Sequence, residues 1–142
     1  MKSRKRSVAS SGQPERVVFF IDRSLGSHFV AEALRSQGHE VVTHEQRFAA
    51  GALDEEWLAE AGRSGWVVLS KDTRIQYREL ERRALERAMV RAFILVSANL
   101  TGPQMAEVIK RALPGMILLI RGRRPPFIAR VYRNGQVKPL RG

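Results

Sequence analysis

Three aspartates are the residues of this sequence whose types and spacing could support chemistry. Asp22 ends the apolar run "VVFFID", Asp72 follows the run "WVVLS" by two residues, and Asp54 opens the acidic stretch "DEEW". Carboxylates that converge repel one another, and their pKa values rise unless a cation compensates. Carboxylate oxygens, in a chain without cysteine, suit Mg²⁺ or Mn²⁺. The acids therefore predict a divalent metal site, where the expected chemistry is metal-assisted attack of water on a phosphodiester bond.

Each acid also has a structural interpretation. Asp54 could be the N-cap of the helix that follows it, a role that is compatible with metal binding. Asp72 could cap the turn before the next helix. Asp22 adjoins a buried strand and needs a partner that offsets its desolvation, so an ion pair with the neighbouring Arg23 is an alternative to a metal.

The elements that must position these acids alternate along the chain. The predicted strands are "VVFFID" (17–22), "HEVVTH" (39–44), "WVVLS" (66–70) and "RAFILVSA" (91–98). The predicted helices are "RSLGSHFVAEALRSQG", "LDEEWLAEAGRSG", "YRELERRALERAM" (77–89) and "TGPQMAEVIKRAL" (101–113), the last capped by Thr101. Strict alternation of this kind favours a parallel sheet that is covered on both faces.

The C-terminal part of the sequence is less regular. "PGMILLIRG" is compatible with either a helix or a strand, whereas "FIARVYRNGQVKPL" is typical of a hairpin that turns at Asn134-Gly135. The helix over residues 77–89 is dense in Glu and Arg, and we expect Tyr77, Leu80, Ala84 and Ala88 to form its apolar face.

The predicted sheet brings the acids to one edge. Parallel strands end at the same edge, so Asp22 and Asp72 should lie together there, and ligands of open α/β sheets bind beyond the carboxyl ends of the strands. Asp54 follows the loop that leaves the second strand and could approach the same edge.

The excess of positive over negative charge is confined to the two ends of the chain. Of the net charge of +11, residues 1–16 carry +4 and residues 121–142 carry +7, so residues 17–120 are neutral overall. A neutral body with basic ends suggests a polyanionic partner, and Arg121, Arg123 and Arg124 are candidate contacts to RNA phosphates. The alternative is that the basic ends serve solubility alone.

Length and composition limit the class of protein. At 142 residues the chain suits one domain, expected over residues 17–142 after a disordered basic tail at residues 1–16. The absence of cysteine excludes a disulfide scaffold, a cysteine zinc site and a thiol nucleophile. No apolar run approaches the ~18 residues of a membrane span, and the N-terminus lacks the apolar core of a secretory signal, so we expect a cytoplasmic protein.

Three segments in order, "FFIDRSLG", "DEEWLAEAGRSG" and "WVVLSKD", resemble the PIN-like nuclease domains, most closely the VapC45-type PIN-like toxins. The resemblance spans residues 17–113, and "PFIARVYRNGQV" is similar to the C-terminal end of that group. It implies a three-layer PIN-like α/β fold, with a mostly parallel sheet of four or five strands flanked by helices, and a C-terminal β-hairpin. It also implies an Mg²⁺- or Mn²⁺-dependent ribonuclease that acts as a toxin, with Asp22, Asp54 and Asp72 as its metal ligands. The resemblance also implies RNA as the substrate and a cognate antitoxin as a partner, and a homodimer is a separate expectation.

One position departs from this pattern. Relatives often carry a further Asp two positions after the third-strand aspartate, where this chain has Arg74. Lys71 and Arg74 could instead contact the substrate phosphate, or they could be a solvated basic pair. The departure keeps two other functions open. One is a non-catalytic nucleic-acid-binding protein with an incomplete site, and the other is a protein-interaction module that uses the helix at 77–89.

The histidines and glycines give weaker signals. His28, His39 and His44 have no metal-ligand spacing, and we expect them at the surface or at its boundary. The chain has no G-x-G-x-x-G motif after the first strand, which disfavours dinucleotide binding. A phosphate-accepting receiver domain would need paired acids at the end of the first strand, where only Asp22 is present.

Overall fold

A mostly parallel sheet forms the centre of the molecule. The computed structural model describes residues 17–26, 28–72, 78–96 and 99–140. Within them the strands are β1 (Val18–Ile21), β2 (Glu40–Thr43), β3 (Val67–Ser70), β4 (Arg91–Leu95), β5 (Phe127–Val131) and β6 (Val137–Pro139). Their order across the sheet is β2-β1-β3-β4-β5-β6. Each neighbouring pair is parallel except β5 and β6, which form the predicted antiparallel hairpin. The predicted fold class is confirmed.

Helices cover both faces of the sheet. They are α1 (Phe29–Ser36), α2 (His44–Arg47), α3 (Asp54–Ser64), α4 (Glu79–Arg87) and α5 (Gly102–Gly122), with a 3₁₀ turn at Arg23–Leu25. None of the helices among the described residues combines the length and apolar character that a membrane span requires.

Side chains that alternate along the strands divide the core into two layers. On one face, Phe19 and Ile21 of β1 pack with buried residues of α1 and α5. On the other face, Phe20 of β1 packs with buried residues of α3 and α4. A strand that is apolar on both sides is what a sheet covered on both faces requires. The wholly apolar sequence "VFFI" of β1 is therefore explained by its position in the middle layer, between two layers of helices.

Aromatic rings fix α3 against β1. The ring of Phe20 stacks on Trp57 of α3 at a centroid distance of 5.3 Å, and on Trp66 at 5.5 Å. Trp57 is 2% exposed, and stacked aromatic pairs contribute about 0.5–1.5 kcal/mol beyond the burial of their area. Because Trp57 lies one turn into the helix, this stacking holds the first turn of α3 over the face of β1 that carries Phe20.

Helix α5 settles the ambiguous C-terminal segment. The hydroxyl of Thr101 accepts from the N–H of Gln104 at 3.2 Å, and the Gln104 side chain accepts from the N–H of Thr101 at 2.8 Å. This reciprocal cap confirms the predicted N-terminus of the helix. The helix continues through Pro114 to Gly122, so "PGMILLIRG" is helical rather than a strand.

Three details of the sequence prediction were wrong. The side chain of Leu80, expected on the apolar face of α4, is 79% exposed, and Leu85 is the fully buried residue of that helix. The four-residue helix α2 was not predicted. His44, expected near the surface, is 3% exposed. The predicted tail at residues 1–16, Arg74 and Tyr77 lie outside the described residues.

Candidate active site

Asp22 lies where β1 ends. Its N–H donates to the carbonyl of Leu69 at 3.0 Å, which extends the pairing of β1 with β3 by one residue. Since Ile21 is the partner of Leu69 in the sheet, this bond brings Asp22 beside Ser70. The side chains of Phe20 and Asp22 leave the strand on the same face, because side chains alternate along a strand. Asp22 is nevertheless only 9% exposed.

Two serines hold the carboxylate of Asp22. The hydroxyl of Ser70, which is fully buried, donates to Oδ2 at 2.7 Å, and the hydroxyl of Ser24 donates to the same oxygen at 2.8 Å. The two hydroxyl oxygens lie 3.3 Å apart. The orientation of the carboxylate is therefore fixed by side chains from two elements, the 3₁₀ turn after β1 and the end of β3.

The same hydroxyls organise the segment that follows β3. The N–H of Lys71 donates to Oγ of Ser24 at 2.8 Å, and the N–H of Asp72 donates to Oγ of Ser70 at 2.9 Å. Asp22 and Asp72 are thus connected through one serine hydroxyl. The sequence prediction that both acids reach the same edge agrees with this geometry, whereas the serines between them were not predicted.

No cation balances the charge of Asp22 within the described residues. Arg23, the alternative partner considered from the sequence, is exposed, and its Nη1 donates to the carbonyl of Ala50 at 2.7 Å. Asp22 forms no ion pair with any other part of the chain that the structure describes. Hydroxyl donors satisfy its hydrogen-bonding capacity but supply no positive charge. A carboxylate that is nine-tenths buried in this way is suited to receive a cation.

Asp54 lies at the start of α3, on the face of the sheet that carries Asp22. It is the first helical residue rather than the N-cap, which is Leu53. Its Oδ1 accepts from Nε1 of Trp57 at 3.1 Å, and the carboxylate of Glu56 accepts from the N–H of Leu53 at 2.8 Å. Among the described residues, no three His, Asp or Glu side chains lie close enough to hold a metal ion together. The structure therefore links Asp22 with Asp72 but does not join Asp54 to them.

The predicted phosphate-binding residues lie in different places. Lys71 is half-buried beside Asp72 at the carboxyl edge of the sheet. Arg121, Arg123 and Arg124 are exposed at the C-terminal end of α5. That helix begins after β4, at the edge of Asp22, and its 21 residues run about 30 Å toward the opposite edge. The three arginines are thus remote from the acids.

The histidines differ from one another. His28 is exposed, and His39 packs edge-on against Phe19 at a centroid distance of 5.5 Å. Partial burial lowers the pKa of His39 below its ordinary value of 6.5. His44 is buried against Phe20 and Phe48, with ring centroids 6.2 and 5.6 Å apart. The prediction of a surface or boundary position holds for the first two and fails for His44.

Comparison with known proteins agrees with this architecture. The family model described as "PIN like domain" matches residues 17–97, a range that contains all three acids. A protein of Mycobacterium tuberculosis named "Putative ribonuclease VapC45" is 29% identical over 127 residues, which cover 85% of this chain and 90% of that protein. No solved structure matches the chain. Since the family model covers more than half of the sequence, the chain belongs to the PIN-like domain family.

Proposed function

We propose that residues 17–142 form a single PIN-like domain that acts as a metal-dependent endoribonuclease, the toxin component of a toxin–antitoxin pair. Membership of the PIN-like family and the similarity to a protein named as a ribonuclease support a nuclease. The observation that carries the proposal is Asp22, a carboxylate that is 9% exposed, oriented by two hydroxyls and unpaired with any cation in the described part of the chain.

The position of Asp22 in the sheet is the second argument. The chain passes from β1 to β2 on one side and then to β3 on the other, so the strand order reverses around β1. In open α/β sheets the crevice at such a reversal, beyond the carboxyl ends of the strands, is where ligands bind. The strands that flank this crevice are β1 and β3, and at their ends lie Asp22, Ser70 and Asp72.

The donors at this edge fit a hard divalent cation. Asp22, Asp54 and Asp72 would hold it, and all of them present oxygen, the ligand that Mg²⁺ and Mn²⁺ prefer. When bound, such an ion lowers the pKa of water and offsets negative charge on the phosphate. Asp54 takes part once its carboxylate turns from Trp57 toward the other two acids.

The chain's own residues provide orientation and binding. Ser24 and Ser70 fix the plane of the Asp22 carboxylate, and Ser70 holds the backbone at Asp72. Lys71, one residue away, would contact a phosphate oxygen of the RNA backbone. Fixed orientation before the substrate arrives is what makes such groups effective in catalysis.

The direct test is cleavage of single-stranded RNA with Mn²⁺ or Mg²⁺ by four proteins: the wild type, Asp22→Asn, Asp72→Asn and Glu107→Gln. The two aspartate variants should lose metal-dependent cleavage and keep the circular dichroism spectrum of the wild type. Glu107 is exposed on α5, where its carboxylate contacts only Lys110 among the described residues, so its variant should remain active. Full activity of both aspartate variants would refute the proposal.

A second function is favoured by one observation. Because no three acids come together among the described residues, the chain could bind nucleic acid without cleaving it. That protein would bind RNA with a strong dependence on salt, and its affinity would not respond to divalent metal or to loss of Asp22. Titration of Mn²⁺ with and without RNA, followed by both binding and cleavage, separates the two functions.

A further inference from the structure

A cavity opens beside the candidate active site. It has a volume of about 330 Å³ and is lined by Arg23, Gly26, His44, Glu45, Phe48 and Ala50. These residues follow the carboxyl ends of β1 and β2, which are neighbours in the sheet. Arg23 is also the next residue after Asp22. The cavity therefore lies at the same edge as the acids, and its volume falls within the range of roughly 300–1,000 Å³ that small-molecule sites occupy.

His44 gives the cavity a polar wall without a partner. The residue is 3% exposed, yet within the described part of the chain its side chain makes ring contacts and no hydrogen bond. A neutral imidazole carries one donor and one acceptor, and burying them unpaired is unfavourable. Among the described residues, Arg91 Nε is the only fully buried side-chain nitrogen without a partner. The nitrogens of His44 therefore keep some access to solvent, and His44 is one of the residues that line the cavity.

The remaining walls are complementary in chemistry. Phe48 is half-buried and offers an aromatic ring, and Glu45 is exposed and offers a carboxylate. Arg23 also lines the cavity, and its guanidinium donates to the carbonyl of Ala50, another lining residue. An aromatic ring, hydrogen-bonding groups for a base edge and a nearby cation are the features with which proteins bind unpaired RNA bases.

We propose that this cavity binds one nucleobase of single-stranded RNA, adjacent to the phosphate that the Asp22 edge receives. This inference rests on the proposed ribonuclease function and adds a substrate preference to it. Guanine fits best, because its N1–H and N2–H groups can both donate to the carboxylate of Glu45. The Watson–Crick edge of uracil instead presents two carbonyl oxygens around a single donor, and the carboxylate repels them.

The test uses full-length protein without metal and follows the imidazole proton resonances during titration with guanosine 5′-monophosphate, uridine 5′-monophosphate and inorganic phosphate. Guanosine monophosphate should shift His44 in a saturable manner and bind about tenfold more tightly than uridine monophosphate, the discrimination typical of a paired base edge. His39 lies at the other end of β2 and should not shift. Inorganic phosphate alone should leave His44 unchanged.

Three variants sharpen the result. Glu45→Gln changes an exposed residue and should reduce the preference for guanine while the protein stays folded. His44→Gln should weaken the binding of both nucleotides, measured by isothermal titration calorimetry because this variant lacks the reporting imidazole, and His39→Gln should alter neither. Nucleotides that fail to shift His44, or a shift that inorganic phosphate reproduces, would overturn the cavity proposal. These outcomes do not depend on cleavage, so they are distinct from the loss of metal-dependent activity that tests the ribonuclease itself.

Discussion

Replacing Asp22 by Asn should separate the proposed role of this residue in metal binding from its role in folding. The amide oxygen of Asn can accept from Ser24 and Ser70 as Oδ2 does now, at 2.8 and 2.7 Å. A hydrogen bond to a charged acceptor contributes about 1.5–3 kcal/mol to stability, whereas a bond to a neutral acceptor contributes about 0.5–1.5 kcal/mol, so each of the two bonds becomes weaker. The substitution also removes the desolvation penalty of a buried ion, which is several kcal/mol. Without metal, the two effects nearly cancel.

The prediction is therefore that metal-free Asp22→Asn has a free energy of unfolding within about 1 kcal/mol of the wild type, or above it. A cation that binds only the folded wild type adds about 2.7 kcal/mol at a hundred times its dissociation constant. In a chain of 142 residues this corresponds to a rise in Tm of roughly 5–10 °C. The variant should show no such rise.

The assay is urea unfolding with and without Mn²⁺, followed by circular dichroism and repeated by thermal melting. Glu107→Gln serves as the matched control, because it also removes one carboxylate but lies on an exposed helix face, and it should keep the full metal response. Two results would refute the reasoning. One is equal stabilisation of Asp22→Asn by Mn²⁺, and the other is a loss of more than about 2 kcal/mol in the metal-free variant.

Three further predictions concern stability. Ser70→Ala should lower the free energy of unfolding by about 2–4 kcal/mol, because it removes a hydrogen bond to a carboxylate and the acceptor of a backbone N–H. Ser24→Ala should lower it by less, because Ser24 is only partly buried. Gly62→Ala should lower the free energy of unfolding by about 1–3 kcal/mol or more, because the new methyl group would meet the carbonyl of Ala88. Gly122→Ala is the control, because Gly122 has open space around it. The lowered pKa of His39 should add stability that is complete above pH 6.5 and is lost as pH falls toward the lowered value, a dependence that His39→Gln removes.

Urea unfolding measures all three, with the last followed between about pH 7.5 and about pH 5. Equal losses for the two serine variants would contradict a central role for the buried hydroxyl. A Gly62→Ala protein as stable as Gly122→Ala would mean that α3 and α4 can separate without cost. A pH dependence that persists in His39→Gln would assign the titration to another group.

The sequence predicted the site as far as strand order and strand ends allow. Asp22 and Asp72 each follow an apolar run, and parallel strands must end at a common edge, so their proximity required no knowledge of the packing. The role of Ser70 depends on register: a shift of one residue between β1 and β3 would turn its hydroxyl to the other face of the sheet. Sequence patterns do not specify that register. A serine at the end of one strand, level with an aspartate at the end of another, is nevertheless a usable signal.

Packing also determines the burial of the residues whose positions were predicted wrongly from the sequence. Leu80 and Leu85 are equally apolar, and only the position of α4 against α3 and the sheet determines that Leu85 is buried. The sequence predicts a surface or boundary position for His44, because the three histidines have no metal-ligand spacing. In the structure, the rings of Phe20 and Phe48 contact its ring, and the residue lines the cavity at the edge of the sheet. A polar residue can be buried when only its polar atoms need access to solvent.

The distance between the acids and the basic C-terminal segment bears on the charge of the site. The sequence proposes Arg121, Arg123 and Arg124 as contacts to RNA phosphates, and α5 carries them about 30 Å toward the opposite edge of the sheet from the acids. At physiological ionic strength the Debye length is about 8 Å, so these arginines scarcely affect the potential at Asp22. Under the proposed function they would attract a long RNA, but they lie too far away to neutralise the carboxylate or the phosphate at the site. Of the candidate phosphate contacts within the described residues, Lys71 lies at the edge of the acids, so under the proposed function it would serve the phosphate and a bound cation would balance the charge of Asp22.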